Sequence, residues 1–240
     1  MRPTAYLLTL MLGVAATGAQ AEEIAGQREG DALIYRVGDF DSVGLGTSAT
    51  VDVRVGPSWS VRVNGPAEAV ARLKIDREGR ALSIRPRNNW RNNRSAADQQ
   101  VRVSITMPRL ASASIGGSGR MTVDRVTGES LRASVGGSGS LSLGTVAVGD
   151  LAVSIGGSGD ISAAGRAERL TVRNSGSGRF AAPDLRARSA TVSAAGSGRV
   201  RALVDGPATV SLAGSGVVEL GKGARCTVRR AGSGRAICGG

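Results

Sequence analysis

From about residue 110 onward, apolar side chains recur on two scales: every second residue within short segments, and every 18 to 20 residues along the chain. One pair of apolar columns is Met121, Leu141, Ile161, Phe180, Val200, Val218, Ala236 and Val123, Leu143, Ala163, Ala182, Ala202, Leu220, Cys238. Just before the first of these columns stand Arg120, Ser140, Asp160, Arg179, Arg199, Val217 and Arg235, which are polar in six of seven cases. A second pair is Leu131, Leu151, Leu170, Ala190, Ala208, Cys226 and Ala133, Val153, Val172, Val192, Val210, Val228, with Ser134, Ser154, Arg173, Ser193, Ser211 and Arg229 following as an outward column. Alternation with period two marks strands with one face inside, and no stretch after residue 110 carries a helical stripe.

Between the two strands of each repeat lies a glycine triplet. The seven copies are Gly117-Ser118-Gly119, Gly137-Ser138-Gly139, Gly157-Ser158-Gly159, Gly176-Ser177-Gly178, Gly196-Ser197-Gly198, Gly214-Ser215-Gly216 and Gly232-Ser233-Gly234. Each repeat therefore predicts strand, corner, strand and a variable connector such as Asp124–Ser130 or Pro183–Ser189. Two short strands cannot bury an apolar face alone, but stacked repeats can, each pairing in parallel with the next. The predicted fold is all-β, a β-solenoid of about seven rungs, six steps of about 4.8 Å making a rod roughly 29 Å long. The corner glycines are expected where the chain turns with positive φ and where stacked corners approach closely.

The N-terminal part is β-rich but shows no phase with the array. Ala32–Val37, Thr47–Val55, Ser58–Val63, Leu73–Asp76, Ala81–Arg85 and Val101–Met107 alternate as strands; Glu78-Gly79 predicts a hairpin turn and Pro66–Ala71 one helical turn. Residues 87–100 have turn composition and no period, and are expected to be a mobile loop. These N-terminal strands are expected to cap one end of the rod, since an open terminal rung is an unpaired edge. Residues 1–21 have the form of a secretory leader: Arg2, an apolar run from Ala5 to Val14 too short to span a bilayer, and Ala19-Gln20-Ala21 as a small-residue cleavage site. The expected layout is a leader over 1–21, a β-rich cap over 22–108 and the repeat solenoid over 109–240.

The chain resembles the exported bacterial family of auto-transporter adhesin head GIN domains. The resemblance rests on Val37-Gly38-Asp39-Phe40-Asp41-Ser42-Val43, on the strand Val101–Pro108 ending in Met-Pro, and on the Gly-Ser-Gly ladder with its Leu-x-Val-Ser strands. It covers residues 31 to 235 or so, and implies a right-handed parallel β-helix on an exported protein of adhesin type. It supplies no catalytic residues.

Composition narrows the chemistry. The chain has no histidine and only six aromatic residues, so its core is aliphatic and no Ser-His-Asp or Cys-His pair can form. An exported chain meets oxidising conditions, so Cys226 and Cys238 are expected to pair and pin the far end of the rod, free buried thiols being the alternative; two cysteines alone are too few soft ligands for a metal site. Gly216, Gly221 and Lys222 match most of a phosphate-binding loop, but Gly223 replaces the magnesium-holding hydroxyl and no helix follows. Gly44-Leu45-Gly46 with Ala49 resembles the dinucleotide-binding fingerprint, yet a strand pattern follows instead of a helix, and it is taken as a turn. The triplet serines have no base and are assigned to corner backbone groups.

The enzymatic rival is polysaccharide cleavage of the pectate-lyase type, which shares the architecture and needs clustered acids for calcium beside a basic residue. Here Asp124, Glu129, Asp150, Asp160, Glu168, Asp184, Asp205 and Glu219 fall in different columns. The preferred expectation is a non-enzymatic, adhesin-like binding or structural surface of the envelope, with no cofactor and no metal. Positive charge points to its partner. The chain carries 31 Lys+Arg against 19 Asp+Glu, and from residue 166 onward the count is 13 basic to four acidic. Arg173, Arg179, Arg199, Arg201, Arg229 and Arg235 occupy outward columns and are expected to form a stripe for an anionic glycan or lipid, nucleic acid being less available to an exported protein; the alternative is a merely solvated surface. Trp90, among Asn and Arg, is expected either as a contact residue or folded back over the N-terminal strands.

Overall fold

The computed structural model describes residues 22–87 and 96–239. The repeat region is a β-solenoid in which every coil pairs in parallel with the next, and its seven Gly-Ser-Gly corners bound six successive turns. Both inward column pairs are in register as the alternation predicts. Met121 lies beside Leu141, then Ile161, Phe180 and Val200, and Leu131 beside Leu151, Leu170, Ala190 and Ala208, all of them buried.

Each coil has three walls rather than two. The segment expected as a connector is itself a strand: 125–128 pairs with 145–148, and that segment with 164–167, with breaks in register that mark the corners. Its buried side chains include Val126, Val146 and Leu185 on one level and Val148, Ala167, Ala187 and Val204 on another. Four residues offer only two inward positions, and bulges such as that between Leu143 and Thr145 shift the count from coil to coil, so the period is lost in the sequence.

The N-terminal region is in phase with the array, contrary to the expectation. The strand Ser42–Leu45 pairs in parallel with Ser112–Ile115, and Thr50–Val55 pairs in parallel with the start of Arg120–Val135. Thr47-Ser48-Ala49 thus stands where the next coil has Gly117-Ser118-Gly119. Ala81–Pro86 and Arg102–Met107 add a further coil on the other side of Ser42–Val55. Spatial order departs from chain order here, which is why no repeat period shows. Gly44 and Leu45 are strand residues, and only Gly46 opens the corner expected as a turn. The Ala81–Met107 coil departs from the others at that corner, between the strands that end at Pro86 and begin at Arg102. The far part of this corner is a 3-10 helix, Ala96–Gln100, anchored by Arg72 to Asp98 at 3.1 Å, so this end of the expected loop is ordered.

Beyond the Ala81–Met107 coil the walls continue as antiparallel strands. One runs through Leu73–Glu78 to Glu22–Glu23, the other through Ser60–Asn64 and Ala32–Tyr35 to Gln27–Glu29. Between the walls sits the helix Ala67–Ala71, entered at Pro66, whose own Ala69 and Val70 are buried. The hairpin at Gly79 turns with φ +54° as the Glu-Gly pair predicts. Among the described residues no helix is long and apolar enough to cross a membrane.

Candidate functional site

The triplets build one longitudinal edge of the rod, and close approach rather than positive φ selects most of their glycines. A Cβ on Gly117 would stand 2.6 Å from the carbonyl oxygen of Thr47, and one on Gly139 the same distance from that of Gly119. Positive φ occurs only at the first glycine of the last three triplets, Gly196, Gly214 and Gly232. The carbonyls at Gly117, Gly137 and Gly157 accept the N–H of Gly139, Gly159 and Gly178, so stacked corners are bonded into a ladder. At the fourth corner Asn174 replaces the buried aliphatic residue. Its side-chain amide donates to Gly178 O at 2.8 Å and its carbonyl oxygen accepts from Gly176 N–H at 3.3 Å. Sequence periodicity alone missed Asn174; the sign was a polar residue in the column of Val135 and Ile155.

Most acids of the array are taken up by arginines. Arg169 forms two hydrogen bonds of 2.6 Å to Asp150, which hold that carboxyl below its ordinary range and raise the guanidinium in turn. Arg188 meets Glu168 at 2.7 Å, Arg201 meets Glu219 at 3.4 Å, Arg186 meets Asp205 at 3.5 Å and Arg179 meets Asp160 at 4.0 Å. All lie at the surface, Asp150 and Glu219 half-buried, and contribute little to stability.

The six arginines expected as one stripe divide between two walls. Arg173 and Arg229 lie before the corner, in one column with Ser193 and Ser211 between them. Arg179, Arg199 and Arg235 lie after it; Arg179 and Arg199 are direct neighbours, and Val217 separates Arg199 from Arg235. Arg201 stands on the same wall but is paired with Glu219. Among the described residues Arg173, Arg199, Arg229 and Arg235 have no carboxylate within salt-bridge range. These four cations flank the Gly-Ser-Gly edge, two on each side. On the wall after the corner, a shallow groove of about 220 Å³ runs past Arg120, Ser140, Ser142, Asp160, Ser162 and Arg179. Trp90 lies outside the described residues, as does the stretch 1–21 expected to be a leader.

The other expected positions are structural in setting. Gly221 turns with φ +79° after the strand Val217–Glu219, and no helix follows it. Cys226 and Cys238 form a disulfide, with Cα atoms 6.1 Å apart, across the last coil. Among the described residues no three His, Cys, Asp or Glu side chains come together as a metal cage. Sequence reading also passed over Asp41, buried at the junction of three segments. It accepts from Arg80 and Arg109, each at 2.9 Å, and from Ser42 at 3.1 Å, while its backbone carbonyl accepts from Ala111 at 2.7 Å. Burial works against its ionisation, but the three side-chain bonds outweigh that and hold the carboxyl below its ordinary range.

A family model matches residues 39–224, from the Asp41 junction through the sixth of the seven Gly-Ser-Gly corners. The chain belongs to the family described as putative auto-transporter adhesin, head GIN domain. No curated protein matches it. Among solved structures it is similar to a putative adhesin from Bacteroides fragilis, with TM-score 0.76 at 20% identity over 86% of this chain and 94% of that one. A putative adhesin from Parabacteroides distasonis gives 0.65 at 20% identity, covering 87% and 94%. A putative lipid binding protein from the same organism gives 0.62 at 20% identity, covering 89% and 98%. At these identities the likeness establishes a shared β-solenoid fold for this GIN-family chain.

Proposed function

We propose that this GIN-family solenoid is an exported, non-enzymatic binding surface whose corner edge takes phosphate- or carboxylate-bearing glycans and lipid headgroups of the cell envelope. Residues 1–21 serve as the export leader, and the disulfide fits the oxidising compartment it leads to. The observation that carries the reading is the distribution of unpaired charge. Most acids of the array already have an arginine, whereas Arg173, Arg199, Arg229 and Arg235 flank the glycine edge with no carboxylate partner among the described residues. Arg199 and Arg235 are two coils apart, about 10 Å, close to the Debye length at physiological salt, so a polyanion laid along the edge meets them together. The small corner residues let such a polymer approach the backbone. A neighbour described as a putative lipid binding protein is consistent with the lipid arm of this reading.

The test is retention as salt rises, on immobilised lipopolysaccharide, on vesicles of anionic against zwitterionic phospholipid, and on a soluble acidic polysaccharide. The variant is Arg173, Arg179 and Arg199 changed together to Ser. Retention is expected to fall and its salt dependence to become shallower by about two to three counterions. The arm retaining the wild type most strongly identifies the source of the anion. Superimposable curves for wild type and variant would overturn the proposal.

A further inference from the structure

We infer that the last coil is a template on which an extended acidic segment of another polypeptide adds as one more turn. The strands Arg225–Ala231 and Arg235–Ile237 pair with the preceding coil on one side, and among the described residues nothing pairs with the other. Arg225 N–H donates inward to Gly206 O at 2.8 Å. By strand alternation the backbone groups of 225, 227 and 229 face the rod, and those of Cys226, Val228 and Arg230 face outward and unpaired. The apolar side chains above them are uncovered too. Val228 is 44% exposed, although Val172, Val192 and Val210 in the same column are buried, and the inward Cys226 and Ala236 are only partly buried. The Cys226–Cys238 bridge holds the two strands as a preformed edge.

Charge selects the occupant. Lys222, Arg225, Arg229, Arg230 and Arg235 belong to this coil, no acid follows Glu219 in the chain, and none of the five has a carboxylate partner among the described residues. A second copy docked end to end would set five cations against five. The opposite end of a second copy offers no match, because its rim carboxylates are already paired: Glu22 with Arg77, Glu23 with Lys74 and Arg87, and Glu29 with Arg36. A partner strand of about seven residues matches the length of Arg225–Ala231. Its alternate small apolar side chains would cover Val228 and the disulfide, and its carboxylates would stand over Arg225 and Arg229. Backbone pairing supplies affinity in such strand addition and alternate side chains supply choice. This inference concerns the end of the rod and does not depend on the lateral edge binding anionic polymers.

The probe is a fluorescent seven-residue peptide of alternating Glu and Val, followed by anisotropy with the mature, disulfide-bonded chain. A control peptide has the same composition with the Glu and Val residues in separate blocks. The alternating peptide is expected to bind about tenfold or more tightly than the block peptide, with affinity falling as salt rises. Val228→Pro removes an outward N–H and no ladder bond, a place where strands tolerate proline, and is expected to weaken binding by about tenfold while thermal unfolding stays cooperative. Arg225, Arg229 and Arg230 changed together to Ser is expected to flatten the salt dependence, whereas the Arg173/Arg179/Arg199 variant binds the peptide as wild type does. Equal binding of the two peptides, or no binding of either, would overturn the inference and leave the cations as guards against edge pairing. A concentration-dependent dimer in light scattering that Val228→Pro abolishes would overturn it in favour of a second copy.

Discussion

The two ends of the rod solve one problem in opposite ways. At the N-terminal end the walls pass into antiparallel strands, a short helix fills the space between them, and Tyr35, Phe40, Leu73 and Ile75 are buried there. At the C-terminal end the last coil has the same inward columns, yet Val228 lies in solvent, Ala236 is only partly buried and a disulfide takes the place of packing. Alternation decides which way a side chain points. Burial depends on whether another coil covers it. Hydrophobic residues at a solenoid terminus are therefore stabilised by whatever lies beyond, and a bare terminal coil contributes less than its sequence suggests.

The sharpest way to break this comparison is to place one charge at two levels of a single column. Val172→Asp buries an unpaired carboxylate in a narrow core and is expected to cost more than about 4 kcal/mol, enough to remove soluble protein from the exported fraction. Val228→Asp, in register with it but exposed, is expected to stay within about 1 kcal/mol of wild type in urea unfolding. Ser193→Asp, on the outward column beside Val192, serves as a folding control. Comparable loss in both valine variants would show that the last coil is packed.

Removing the disulfide is expected to have the next largest effect. Its two cysteines are 12 residues apart, and closing so short a loop is expected to stabilise by about 3 kcal/mol in the chain-entropy account. Replacing both by Ser should act locally. Amide exchange is expected to accelerate over 225–237 and to stay unchanged over 42–55, because the N-terminal end is held by strand pairing. Acceleration along the whole rod would mean that the last coil nucleates the others.

Much of this was legible in the chain, for identifiable reasons. The near-constant spacing of 18 to 20 residues between Gly-Ser-Gly triplets and the alternation around Val172, Val192 and Val210 report the coil, its register and its inward face. The third wall was hidden because it offers at most two inward positions per coil, such as Val146 and Val148, in a segment whose length varies. The coil at 42–55 was hidden because Thr47-Ser48-Ala49 replaces the triplet and an inserted coil and cap separate it from residue 112. The six arginines are exposed, but the sequence does not show that Arg201 is paired or that Arg173 and Arg179 stand on different walls. Asp41 escaped because its partners Arg80 and Arg109 are brought to it only by the crossing of non-consecutive coils.

The corner ladder offers a finer cut. A Cβ on Gly157 would lie 2.5 Å from Gly137 O and 3.1 Å from Gly136 O, both backbone atoms fixed by the adjacent coil. Gly157→Ala is thus expected to cost about 2 kcal/mol. Gly116 has open space at the same point and ordinary φ, so Gly116→Ala is expected to leave stability unchanged or raise it by about 0.5 kcal/mol through the unfolded state. Thermal melts of the two single variants measure the difference, and equal losses would mean that the corners need glycine for conformation rather than clearance.

The smallest expected effect separates the ends by pH. Asp41 fastens the first coils to the array through Arg80, Arg109 and Ser42, and its carboxyl is held below the ordinary range. A depressed carboxyl contributes stability that is fully present above its unfolded value, near pH 4, and is lost as pH falls through the folded value. The C-terminal coil has no carboxylate side chain after Glu219 and carries no such dependence of its own. Asp41→Asn is therefore expected to cost about 2 kcal/mol at pH 7, from hydrogen bonds to charged partners, and progressively less as the solution is acidified below about pH 4. Trp59 reports the change directly, since its indole N–H donates to Phe40 O at 3.1 Å beside Asp41; urea unfolding followed by its fluorescence in a Trp90→Phe background gives the two curves. A gap between wild type and Asp41→Asn that stays constant from pH 7 into strong acid would show that Asp41 acts through its shape and neutral hydrogen bonds, and that the N-terminal closure owes nothing to its charge.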